Sequence, residues 1–369
     1  MKGLRGLPLG LAIAGMAAFW PGFLAVAPNR LSFGAPVALL ACAPLWGLAV
    51  AAALAALAAC AVWARAELAL IAGAALIWLV PLAAGAGARA LSAHAPHAAR
   101  IELATGFWLL LAVGVLAVLD AGLALLARPW RRVGVAVALV AGPVVAGWMG
   151  WFDSLSLAQE FASHRAAFVT AAVRHLVLVG VTLGGAIFLG GPLGVVAWQK
   201  TAWRPYVFSV LNVVQTLPSI ALFGLLMTPL ARLGLSGIGI VPACIALVLY
   251  ALLPAVRATV SGLDGVPQAP LQAAAGLGMR RRQIFLQLHL PLAAPALLAG
   301  LRVVTVQAVG LAVVAALIGA GGFGDFVFQG LGQYALDLVL LGALPATALA
   351  LAADAVLTLA ADAARARMA

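Results

Sequence analysis

The chain has 369 residues, of which 66% are apolar and 8% charged, and its formal net charge is +11. Soluble domains are nearer half apolar and a quarter charged, so this chain cannot cover itself with a polar surface and takes lipid as its solvent. The positive charge does not point to nucleic acid, because Lys and Arg fall in short gaps between apolar runs, as in loops facing anionic lipid.

A bilayer crossing needs about 20 apolar residues. Ten stretches supply them: 7–27, 37–63, 67–87, 103–126, 133–152, 175–198, 206–227, 237–260, 292–318 and 337–361. The first follows Lys2 and Arg5 and ends in Ala25-Val26-Ala27, which resembles a secretory leader. Its length favours a retained first helix. The second is interrupted by Pro36 and Pro44 and has room for a re-entrant piece. Cys42, Cys60 and Cys244 sit inside apolar runs with no CxxC, so they read as small buried hydrophobes, outside any disulfide framework or zinc site.

His94 and His97, with Glu102 nearby, are the best argument for a membrane-embedded enzyme. Two His at i, i+3 can share a helix face, but zinc needs more ligands and Pro96 interrupts the helix. No metal is expected. The segment 153–174 is a polar junction, with five spans before it and five after. No internal repeat relates the halves, and no paired mid-membrane elements suggest a secondary transporter.

Lys and Arg set the orientation. With the N-terminus inside, fourteen fall on the cytoplasmic side, among them Arg131, Arg132 and Arg280–Arg282, and six fall outside. Ten spans then place both termini in the cytoplasm. Trp20, Trp130, Trp151, Trp198 and Trp203 lie near span ends, as an interfacial belt requires.

Within the later spans, Gln215, Thr216 and Ser219 surround Pro218, and Thr305 and Gln307 share another span. Two roles compete for them, lining a translocation pathway and hydrogen bonding between helices. Asp120, Asp354 and Asp362 read as lying toward cytoplasmic ends, and Arg302 as interfacial, with residues 291–301 lying flat. Gly319–Gly324 (GAGGFG) lacks the lysine of a phosphate loop and reads as a tight external turn.

The loop from Gln268 to Pro291 is too polar to span and too long for a tight turn. Leu271–Ala275 favours helix. Gly276 and Gly278 end or bend it, Arg280–His289 can resume helix, and Pro291 fits the first turn of the next span. The small side chains of Ala273 and Ala274 would let a partner approach the backbone. An ordinary amphipathic connector gripping headgroups through Arg280–Arg282 is the competing reading.

The loop resembles the signature of ABC importer permeases, E-A-A-x3-G-x9-I-x-L-P. Gln272, Ala273, Ala274, Gly278, Leu288, Leu290 and Pro291 keep every spacing. Leu288 stands for the usual Ile and Gln272 for the usual acid, which removes a charge but keeps hydrogen-bonding capacity. Residues 215–227, 249–266 and 298–325 extend the likeness to permeases of osmoprotectant importers, over about residues 172–364.

The resemblance implies an all-α polytopic membrane protein of about ten transmembrane helices, the C-terminal five forming the permease core. It divides the chain into an N-terminal transmembrane extension, 1–152, an extracytoplasmic connector, 153–174, and the permease domain, 175–364, with coupling loop 265–291. It implies import of glycine betaine, choline or a related quaternary amine, with methionine or another amino acid as the alternative cargo. Expected partners are a second permease subunit, identical or not, two cytoplasmic ATPases and an extracytoplasmic substrate-binding protein. ATP and Mg would bind the ATPases, and no cofactor is expected in this chain, which has no G-x4-GK[ST] loop. The implied location is the bacterial inner membrane.

Overall fold

The computed structural model describes residues 7–29, 32, 34–63, 65–96 and 99–366. Seven of its helices are long and apolar enough to cross a membrane, and a bent pair makes an eighth. Two shorter apolar helices, Leu7–Ala17 and Pro44–Cys60, bring the apolar helical segments to ten among the described residues, one overlapping each of the ten apolar stretches. The chain divides into two compact units, Met1–Ser163 with Gln333–Asp337, and His164–Gly332 with Leu338–Ala369.

In the first unit the expected first span is a helix only over Leu7–Ala17. Pro21 and Gly22 stop it, and the rest of that apolar run becomes strand β1, Leu24–Ala27. Strands β2, Ala35–Val37, and β3, Arg100–Leu103, flank β1 in an antiparallel sheet of order β2-β1-β3. Leu24 pairs with Val37 on one side and Leu103 on the other. The small sheet is the one departure from an all-helical architecture among the described residues.

Helices Ala66–Ser92 and Thr105–Leu125 pack at the centre of this unit. A Cβ on Gly73 would lie 3.0 Å from the Gly114 carbonyl oxygen, and one on Gly114 would lie 2.9 Å from Leu76 Cβ. Small residues thus set the helix separation, as packing in lipid requires. Leu76, Val80 and Leu110 are fully buried there. Arg89 donates from Nη2 to the Gly150 carbonyl at 2.9 Å and lies 4.3 Å over the Trp151 ring, fixing the turn after helix Pro129–Trp148. Helix Ser156–Ser163 follows. The Ser156 hydroxyl donates to the Ile101 carbonyl at 2.9 Å, which ties that helix to β3.

In the second unit, helix Ile240–Asp264 is central and packs on Arg165–Gln199 and on the run Arg281–Ile318. Two π-turns interrupt these long helices, at Ala186–Gly190 and Phe285–His289. Each is followed by one residue and then a proline, Pro192 or Pro291. Proline has no N–H and its ring crowds the carbonyl four residues back. An extra residue in the preceding turn relieves both problems. Gly191 N–H accordingly bonds the Ala186 carbonyl and Leu290 N–H the Phe285 carbonyl, five residues back in each case.

Gly300 marks one of the closest helix contacts, since a Cβ there would lie 2.0 Å from Ala258 Cβ. Gly300→Val is expected to cost about 1–3 kcal/mol by overpacking. The melting temperature of the detergent-purified chain checks this, and an unchanged value would refute the close approach.

Candidate functional site

The loop Gln268–Pro291 folds as a short helix, a glycine turn and a second helix. Pro267, at φ −58 and ψ 137, precedes helix Gln268–Gly276. Gly278 adopts φ 80 and closes the helix. Its N–H donates to the Ala275 carbonyl at 3.0 Å, and Met279 N–H donates to the Ala274 carbonyl at 3.1 Å. This paired cap needs a left-handed residue, which is why glycine stands there. The next helix starts at Arg281, where the Gln283 side chain accepts from Arg280 N–H at 2.8 Å.

One face of the loop is buried and the other is open. Leu271 turns inward onto Leu263, Val266 and Ala293, with Phe285 and Leu288 packed against them, and Ala274 is buried as well. Gln272, Ala273 and Gly278 are exposed, Leu290 is half-buried and Pro291 exposed. Leu277 at the tip is 84% exposed, a large apolar side chain that sequence reading passed over because no period marks it. His289 pins the assembly from beneath. Its Nε2 lies 2.9 Å from the Leu263 carbonyl, and its ring meets Trp198 edge-on at 4.7 Å.

The expected pathway residues separate into groups. Helices Arg204–Thr216 and Ser219–Arg232 meet at a 102° bend, with Leu217 and Pro218 extended between them. The break frees the Leu217 carbonyl, and the Tyr250 hydroxyl donates to it. Pro254, four residues after Tyr250, leaves the Tyr250 carbonyl without its helical donor. Gln215 Nε2 donates to that carbonyl at 2.9 Å. Gln215 and Tyr250 thus satisfy two backbone acceptors freed by two prolines, in a setting where orphaned carbonyls are costly. Tyr250 was not a sequence candidate, since its partner lies 33 residues away.

Thr216 and Thr305 donate to carbonyls of their own helices, Val213 at 2.7 Å and Leu301 at 2.7 Å. Thr216 and Pro218 are exposed, Ser219 and Gln307 half-buried, and Thr305 buried. Tyr250→Phe should destabilise by about 1–3 kcal/mol, because the Leu217 carbonyl loses its donor. Thermal unfolding in detergent measures this, and a neutral result would remove the bridge from the account.

Arg302 departs from expectation. Leu290–Val314 is one continuous helix, so residues 291–301 do not lie flat. Arg302 sits about 18 Å along the helix from Leu290, and its Nε donates to Asp354 Oδ1 at 2.7 Å. Farther along the central helix, Arg204 pairs with Asp264 at 3.0 Å and Arg257 donates to Asn212 Oδ1 at 2.7 Å. The Gly319–Gly324 segment is a turn with positive φ at Gly319, Gly321 and Gly322. His97 lies outside the described residues. Among the described residues no group of His, Cys, Asp and Glu is placed to hold a metal ion.

Residues 186–369 match the family of binding-protein-dependent transport system inner membrane components. The choline transport system permease protein OpuBB of Bacillus subtilis is 38% identical over 183 residues, which are 50% of this chain and 81% of that protein. The osmoprotectant import permease protein OsmW of Salmonella typhimurium is 39% identical over 181 residues, 49% of this chain and 84% of that protein. The chain belongs to this permease family. It is the membrane-spanning permease subunit of an ABC importer and a multi-span protein of the bacterial inner membrane. The permease also matches, over residues 4–158, the N-terminal domain of the ABC transporter permease YehY. A chain of the inward-facing MetNI methionine ABC transporter aligns with 53% of the permease and 96% of its own length, at 21% identity and a TM-score of 0.46.

Proposed function

We propose that this permease carries quaternary-amine osmoprotectants such as glycine betaine or choline, driven by ATP hydrolysis in separate subunits. The observation that carries the reading is the set of relatives at 37–39% identity over half the chain, which are named for choline, glycine betaine, carnitine or osmoprotectant transport. Residues 175–364 would be the translocating core and 1–152 an extension joined through 153–174. Two ATPases, holding ATP and Mg, would dock on the cytoplasmic loop, with a second permease subunit and an extracytoplasmic binding protein completing the importer. Both termini would then be cytoplasmic.

The loop supports this role physically. Its exposed face offers Gln272, Ala273 and the apolar Leu277, while its buried face is fastened to three spans through Leu271, Leu288 and His289. Movement of a docked partner would reach the spans through these contacts. Thr216 and Pro218, at the open side of the bend, are the pathway positions favoured by exposure. Ser219 and Gln307 are secondary, and Gln215 and Thr305 hold backbone.

The test is uptake of labelled glycine betaine and choline into vesicles containing the whole reconstituted complex, with and without ATP. ATP-dependent accumulation of either is expected. Accumulation of neither, with an amino acid taken up instead, would overturn the substrate assignment.

A further inference from the structure

Arg302 and Asp354 form an ion pair within two apolar spans, and neither the loop nor the bend accounts for it. Arg302 lies about 18 Å from Leu290 and about 24 Å from Ile318 along its helix. Asp354 lies about 18 Å from the end of Leu336–Ala366. Both therefore lie well away from the ends of the apolar helices that carry them. A charge there is costly and marks an ion or substrate pathway, or a partner charge.

The geometry of the pair is incomplete in a specific way. The contact is single, Nε to Asp354 Oδ1, rather than the two-pronged fork available to arginine and carboxylate. Both terminal nitrogens of Arg302 and Oδ2 of Asp354 make no hydrogen bond among the described residues. The side chains are 39% and 35% exposed, so the pair opens from the surface of the unit.

We infer that Arg302 and Asp354 form a substrate subsite for zwitterions, in which the Arg302 terminal nitrogens take the substrate carboxylate and Asp354 faces its quaternary ammonium. This rests on the proposed substrate class and deepens it. Glycine betaine carries its carboxylate and ammonium one methylene apart, and the protein presents the opposite charges side by side. The substrate neutralises each charge as the pair parts, so neither is left bare in lipid. Choline has no carboxylate and engages Asp354 alone. The pair therefore discriminates among quaternary amines by the presence of an anionic group.

The experiment is ATP-driven uptake of glycine betaine and of choline by the complete reconstituted complex, comparing wild type, Arg302→Gln, Asp354→Asn and the exchanged pair R302D/D354R. Arg302→Gln should lower glycine betaine uptake by about tenfold or more, the weight of a charge-assisted hydrogen bond, and leave choline uptake within about twofold. Asp354→Asn should lower both. The exchanged pair, which preserves a helix-to-helix ion pair, serves as the folding control, and it should not restore glycine betaine uptake. Equal losses for both substrates in Arg302→Gln, or full recovery of both in the exchanged pair, would make the pair a fastener and overturn the inference while the substrate class stands. A wild-type complex that moves neither amine would overturn the substrate class, and the inference with it.

Discussion

Gly278→Val is expected to abolish most transport while leaving the permease inserted in the membrane. At φ 80 a side chain with a Cβ meets the following carbonyl, at a cost of about 1–2 kcal/mol. A branched side chain is disfavoured further. Relief requires the backbone to turn, and turning withdraws the Gly278 and Met279 N–H groups from the Ala275 and Ala274 carbonyls. The helix bearing Gln272 and Ala273 then loses its fixed angle to Arg281–Ile284. A penalty of that size reduces the population of the present geometry about 5- to 30-fold, and uptake should fall with it. No heavy atom lies within 4 Å of the position a Cβ would take, so insertion and core packing are untouched. Gly278→Asn, which tolerates the left-handed region, should retain more activity. Initial uptake rates, with membrane content measured in parallel, decide the matter. Normal uptake by Gly278→Val would remove the loop from the coupling mechanism.

The second large effect is expected in the first unit, from Arg100→Ala. Arg100 Nη2 reaches Glu160 Oε1 at 2.6 Å and Asp337 Oδ2 at 3.5 Å. The two carboxylate side chains are 4% and 5% exposed, and that of Arg100 17%. Glu102 stands two residues away on β3, its pKa raised by burial first and by Asp337 second, against the lowering effect of Arg100. Removing the guanidinium takes from the buried Asp337 and Glu160 the counter-charge that Arg100 supplies, at a cost of about 3–5 kcal/mol. The sign of the pH effect follows. A carboxyl with a raised folded pKa binds more protons folded than unfolded, so stability grows as pH falls through the folded value toward the unfolded one. Without Arg100 that raising becomes stronger, and acid should recover part of the loss. Thermal unfolding at neutral pH and near the carboxylate range tests both statements. A melting temperature equal to wild type at neutral pH would refute the first, and a deficit that widens on acidification would refute the second.

The features legible in the sequence share a local cause. Ten apolar stretches required only composition, and Gly278 and Pro218 announced a turn and a break by residue type. Features set by distant partners were not legible. The run to Ala27 looked helical throughout, because a strand of Leu, Ala and Val is as apolar as a helix, and only pairing with residues 35–37 and 100–103 makes it a strand. Gln215 left two roles open because its acceptor is a carbonyl on another helix, freed by a proline 39 residues on. Arg302 looked interfacial because Asp354, its counter-charge, lies 52 residues later. Arg100 gave no signal, with partners 60 and 237 residues away.

The five-residue turn at Phe285–His289 sets an azimuth. One residue corresponds to about 100° of rotation about a helix axis. The wide turn inserts that increment between Arg281–Ile284 and the span from Leu290 onward. The loop face and the span face are thereby indexed separately, although one helical rod carries both. Deleting a single residue in this turn would swing the arginines around the axis while leaving Gly300 against Ala258. The same offset sits at Ala186–Gly190, so two of the rods that meet the central helix are each built from two independently aimed halves.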